Sequence, residues 1–221
     1  MCRRCPCSRV DVLDARDCGV WSSGQGSKAT VDSGRIERAR GACGVGCEGG
    51  GTVKTQSVDV ASSGGAGAQC SGIGSRLAMR GGSVVAGQTG VAALLGGAVE
   101  MEGVEVRGVA TDGVVVRGAG SKAEIGGGSV AGCKEGHGVR CGDGGAVSVR
   151  GMRIEACKGH AVWAEGAWSV ATVSGVEARG CQRPALFKSG GASLRKGGRG
   201  AGAFTSRLQR LLLCRGADTR Q

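Results

Sequence analysis

Residues 128–173 state one pattern twice. In GSVAGCKEGHGVRCGDGGAVSVRGMRIEACKGHAVWAEGAWSVATV, Cys133 and Cys157 stand 24 apart, and His137 and His160 stand 23 apart. Gly-Ala-Val-Ser-Val in the first half is answered by Gly-Ala-Trp-Ser-Val in the second. A repeat of this length constrains architecture more than any local motif, because each unit must bury its apolar face against the next.

Extended both ways, the repeat starts near residues 9, 33, 57, 81, 103, 127, 151 and 175, with one interval of 22 among intervals of 24. Each unit holds three short pieces. The first carries an aliphatic residue at a fixed point: Val12, Ile36, Val60, Val84, Val106, Val130, Ile154 and Ala178. Three positions on stand Ala15, Ala39, Ser63, Gly87, Val109, Cys133, Cys157 and Cys181, mostly small. The second piece begins X-Gly-Val, as in Cys-Gly-Val, Thr-Gly-Val, Asp-Gly-Val and His-Gly-Val, and closes with His-Ala-Val and Pro-Ala-Leu. The third reads SKATV, GTVKT, SRLAM, AVEM, SKAEI, AVSV, SVATV and ASL. Alternation with a period of two inside each piece is that of a strand with one buried face.

Helical repeats need apolar spacing near 3.6, and propeller blades need about 40 residues, so both are excluded. The remaining architecture is all-β: a parallel β-helix of about eight coils, three short strands per coil, spanning residues 9–198. Stacked equivalents then lie ~4.8 Å apart, giving a body of roughly 38 Å. Such stacking fits the composition. Aromatics are 2% of the chain and glycines number 47, so a narrow lumen fills with Val, Ile, Ala and Cys between tight turns. With no Asn, left-handed turn positions are expected to fall to Gly or Asp.

The recurring G-[V/M]-x-[V/I], x-G-V-x-[V/C] and G-x-A-x-[V/I] elements resemble the right-handed parallel β-helices of the pectin-lyase-like kind. The closest likeness is to the intracellular 22–24-residue version in F-box β-helix proteins and carbohydrate-binding and sugar-hydrolysis modules. The resemblance implies a right-handed coil and leaves activity open, since the fold hosts lyases, hydrolases, epimerases and non-catalytic adaptors. Thr111-Asp112-Gly113 and Gly136-His137-Gly138 are similar to pieces of the polygalacturonase motifs. Ala110 replaces the motif's Asn, however, no Asp-Asp pair lies between the pieces, and Met152-Arg153-Ile154-Glu155 lacks the expected Lys.

The ends differ from the body. Residues 1–8 form a Cys- and Arg-rich lead-in, too short for an N-terminal cover, which suggests a fragment. Residues 199–221 read as a Gly-rich linker followed by a short basic amphipathic helix with Phe204, Leu208, Leu211 and Leu212 on one side. Residues 179–221 carry +9 of the net +11, so any nucleic-acid contact is expected only through this tail. No apolar run is long enough to span a membrane and no secretory segment is evident, so an intracellular protein is expected. The twelve cysteines are accordingly expected to stay thiols. Cys2, Cys5, Cys7 and Cys18 have a zinc-like spacing but lack a second knuckle, and neither metal nor cofactor is expected.

The X column offers the candidate chemistry. Asp112, His137 and His160 fall on consecutive coils, where an Asp beside two stacked His could serve as acid and base or as two metal ligands. Arg140, Trp163 and Phe187 lie three residues further along the same strands, as an exposed strip for a sugar or a peptide. Strand parity alone would aim X inward, against the charge of Asp112, and X could instead cap a coil corner. Glycosidase chemistry needs two placed carboxylates, and one is visible. The expected function is a non-catalytic binding or scaffold module for a protein or carbohydrate chain along one face, with binding residues Asp112, His137, His160, Arg140, Trp163 and Phe187. The alternatives are a polysaccharide-active hydrolase, lyase or epimerase using Asp112, His137 and His160, and a truncated or decayed gene product.

Overall fold

The computed structural model describes residues 4–61 and 63–197. All its regular structure is β: 25 short strands in three parallel sheets, wound as one solenoid. The first face holds eight strands, from Val10–Leu13 to Glu177–Arg179, and the second holds eight, from Val20–Ser23 to Leu186–Lys188. The third face holds nine. Its extra strand, Arg4–Cys7, pairs with Lys28–Val31 and lies inside the segment read as a lead-in. The expected linker and helix, 199–221, fall outside the described residues. Among the described residues, no helix is long and apolar enough to cross a membrane.

Register follows the sequence columns. Val12, Ile36, Val60, Val84, Val106, Val130, Ile154 and Ala178 pair in that order along the first face. From Ile36 on they are buried in one continuous core with Ala39, Val109, Cys133 and Cys157. The outward column Asp11, Arg35, Asp59, Ser83, Glu105, Ser129, Arg153 and Glu177 stacks in the same register.

The Gly of X-Gly-Val has a packing cause. A Cβ on Gly113 would lie 2.3 Å from Val130 Cγ1, and one on Gly138 would lie 2.4 Å from Ile154 Cγ2. Each glycine thus lets the aliphatic side chain of the next coil cross the lumen.

The turn expectation needs correcting. Besides Asp14, Asp143 and many glycines, Arg38, Ser57, Ala86, Leu95, Ala156 and Trp168 adopt left-handed backbone, with φ between 52° and 65°. The conformation costs roughly 1–2 kcal/mol for a residue with a Cβ. At the first corner it is offset by inter-coil bonds: the amides of Arg38, Ala86 and Ala156 donate to carbonyls of Ala61, Arg107 and Arg179. Gly108 and Gly132 occupy the same corner and make the same bond. The stack sets the turn, and residue identity follows less strictly than expected.

Candidate functional site

The X residues lie at the corner before the second face, outside the main core and yet covered. Asp112 and His160 are buried and His137 is half-buried. Burial of such groups requires hydrogen-bond partners, and the next coil supplies them. Asp112 Oδ1 accepts the backbone N–H of His137 at 2.7 Å. His137 Nδ1 accepts the backbone N–H of His160 at 2.8 Å. Glycine makes the approach possible: a Cβ on Gly136 would lie 2.4 Å from Asp112 Oδ1, and one on Gly159 would lie 2.4 Å from His137 Nδ1. Each X side chain thus holds the chain one coil further on.

The series stops at Pro184, which has no N–H to give. His160 Nδ1 lies 2.7 Å from the Pro184 carbonyl oxygen instead. A carbonyl only accepts, so Nδ1 of His160 carries the proton and its Nε2 holds the lone pair. His137 is the reverse. Its Nδ1 faces a donor, so the neutral ring carries its proton on Nε2. The two rings stack at 5.3 Å and 6° with opposite tautomers.

Both rings are held neutral near pH 7. Burial brings His137 down to about 4; Asp112 opposes the shift, while His160, Arg140 and Arg183 add to it. Burial also lowers His160, against the pull of the Pro184 carbonyl.

The strip beside this column stands in line, but of its three residues only Phe187 is exposed, while Arg140 and Trp163 are half-buried. Arg140, Trp163 and Phe187 are in register on consecutive strands of the second face. Phe187 stacks on His160 at 4.6 Å and is 43% exposed. Trp163 meets His137 at 4.4 Å and lies under the Arg140 guanidinium, 4.8 Å from the ring centre. Its indole Nε1 donates to Ser189 Oγ at 3.4 Å. Arg140 is turned sideways by Glu165, whose Oε1 accepts from Nε at 2.8 Å and Nη2 at 2.5 Å, and Asp112 Oδ2 lies 3.7 Å from Nη1.

A cavity of about 200 Å³ opens between these groups, walled by His137, His160, Trp163 and Phe187 and rimmed by Lys158 and Arg183. Arg140 and Asp112, expected beside the histidines, point into the Glu165 network and do not line it. Sequence reading missed Glu165, Lys158 and Arg183. Glu165 follows Arg140 by 25 residues, one coil, and Arg183 occupies the position that Gly136 and Gly159 hold before earlier X residues.

Among the described residues, no group of three or more His, Cys, Asp or Glu is placed to hold a metal ion. Of the zinc-like set, Cys2 and the side chains of Cys5 and Cys7 lie outside the described part. A family model described as a right handed beta helix region matches residues 18–182, more than half of the chain. None of the curated proteins and none of the solved structures compared with the chain gives a match.

Proposed function

Because the chain belongs to the right-handed β-helix family, a fold that carries catalytic and non-catalytic sites alike, we propose that it is a non-catalytic binding or scaffold module. Its ligand is a protein or carbohydrate chain laid over the second face at the last three coils. The observation that carries this reading is the bond from the His160 amide to His137 Nδ1. A general base or a metal ligand needs a free lone pair; the one on neutral His137 is already occupied, which leaves Nε2 of His160, on a ring stacked between His137 and Phe187. The carboxylates nearby are similarly engaged: Asp112 by a backbone amide and Arg140, Glu165 by Arg140, and Glu135 by Lys158. The polysaccharide-active alternative requires two carboxylates around a bond to be broken, and these are committed to the coil stack or to cations. The columns run without interruption from Val10 to Lys196, which supports a maintained fold over a decayed one.

What remains available is a binding surface. Phe187 presents a flat apolar ring at the end of a three-ring stack, and His137 Nε2–H and the Arg183 guanidinium have no protein partner among the described residues. Aromatic surface beside directed donors suits a sugar ring or an extended peptide. The test is binding of the full chain to arrayed glycans and peptides at high salt, where the basic tail is screened. Phe187→Ala is expected to weaken a retained ligand by about tenfold or more, the scale of a hot-spot aromatic, with an unchanged melting temperature. Turnover of any arrayed polysaccharide that His160→Ala abolishes would overturn the non-catalytic reading.

A further inference from the structure

The X column continues toward the N-terminus as Ala66, Cys43 and Cys18. Cys43 stands in register with Ala66 on the second face, and carrying the Val20–Val45 pairing back two residues sets Cys18 opposite Cys43. Their sulfurs are 3.5 Å apart. They belong to a small apolar cluster with Ala66, Ala92 and Leu94, separate from the lumen core. Cys18 is half-exposed and Cys43 is fully buried, beneath Trp21. The Trp21 ring and the Cys43 sulfur both come within 2.6 Å of where a Cβ on Gly46 would stand, so this glycine admits both.

Two described cysteine pairs bring their sulfurs within 3.5 Å, and exposure separates them; Cys181, part-exposed beside the buried Cys157, is the competing site. Cys47 and Cys70 are 3.4 Å apart, but both are fully buried inside the lumen, where no oxidant reaches either sulfur. In-register parallel neighbours have Cα atoms ~4.8 Å apart, inside the range of about 4.4–6.8 Å that a disulfide spans.

We propose that Cys18 and Cys43 form a thiol-modification site, in which Cys18 takes up a low-molecular-weight disulfide and Cys43 resolves it. The Cys18 thiolate attacks one sulfur of the small disulfide, bonding to it and expelling one small thiolate. The Cys43 thiol then gives its proton to solvent and attacks the Cys18 sulfur, expelling the second small thiolate. Two protein thiols and one small disulfide become one protein disulfide and two small thiols, the two protein protons ending on the thiols released. The order follows from access, and burial together with the neighbouring Cys18 pushes the Cys43 thiol well above its usual range. The product ties the edge strand Val20–Ser23 to Cys43–Glu48.

The test exposes the folded, reduced full chain to a glutathione disulfide and glutathione buffer, traps remaining thiols by alkylation and maps the peptides by mass. The expected result is a Cys18–Cys43 cross-link that forms before any Cys47–Cys70 cross-link, with slower amide exchange over Val20–Ser23. Cys43→Ser should halt the reaction at the Cys18 mixed disulfide, lengthening its life by about tenfold or more, and Cys18→Ser should leave Cys43 alkylatable. The map of the unmutated chain decides the matter even if a serine variant folds poorly. Cross-linking of Cys18 to Cys2, Cys5 or Cys7, earlier closure of Cys47–Cys70 or Cys157–Cys181, or a Cys18 that stays reduced while other thiols oxidise would each overturn the proposal.

Discussion

The backbone amide of His160 donates to Nδ1 of His137 at 2.8 Å, so the imidazole of one coil holds the chain of the next. Protonating that ring would set a second N–H against the amide. The bond therefore joins the stability of the last coils to pH.

Stability is expected to fall in mildly acidic solution. His137 titrates at about 4 in the folded chain, and His160 is lowered too, so the unfolded chain binds more protons once the pH drops below about 6.5. A depressed histidine contributes stability that is complete above the unfolded value and is lost as pH falls from there toward the folded one. Urea midpoints between pH 4 and pH 8 should be level at the upper end and decline below about 6.5. His137→Gln, whose Oε1 can accept the amide without titrating, should flatten the part of the decline that lies above the carboxylate range. Equal slopes in the two proteins would contradict this role for His137.

The lumen should show compensating volume. Gly138→Ala places a methyl 2.4 Å from Ile154 Cγ2 and 2.6 Å from the Ala161 carbonyl oxygen. The expected cost is about 1–3 kcal/mol for overpacking, and Ile154→Ala alone should cost about 2–5 kcal/mol. Combined, they should cost less than the sum, by about 1 kcal/mol, because Ile154 Cγ2 is the side-chain atom that the new methyl meets. Denaturant melts of the double-mutant cycle measure the coupling, and strict additivity would refute the explanation of the glycine column.

Two arginines of similar pairing should differ in importance. Arg38 binds Asp14 through two nitrogens at 2.6 and 2.8 Å, but both side chains are about half exposed. Arg140 binds Glu165 and faces the buried Asp112, with Trp163 stacked on its guanidinium. Arg38→Ala should leave stability close to unchanged, because solvent screens an exposed pair. Arg140→Ala should cost about 1–3 kcal/mol, because it strips a cation from covered carboxylates and uncovers the indole. Chemical denaturation of both variants tests the order.

The sequence columns made the coils legible because stacking equivalent residues is what a β-helix does. Val84 and Val106 stand 22 apart yet pair in register, so the short coil does not disturb the column. The candidate site was legible as a set and not as a mechanism. Asp112, His137 and His160 stand in line, but nothing in their spacing says that each side chain turns to the backbone of the next coil. The clue was present in the glycines before them: Gly136 and Gly159 leave room for the approach, and Arg183, in the same position before Pro184, marks where the series ends. Arg140 likewise showed its strand position and hid its partner. Glu165 sits beyond the end of its own strand, and only the folded chain brings it to the edge of the guanidinium.

The most direct test is the tautomeric state of the histidines, read from long-range ¹H–¹⁵N correlations of the ring nitrogens near pH 7.5. The chain has two histidines, so His137→Gln assigns both signals. The account predicts opposite neutral tautomers, with the proton on Nε2 in His137 and on Nδ1 in His160. A His137 ring protonated at Nδ1, or one titrating near 7, could not accept the His160 amide in this way and would contradict a column built to hold coils together.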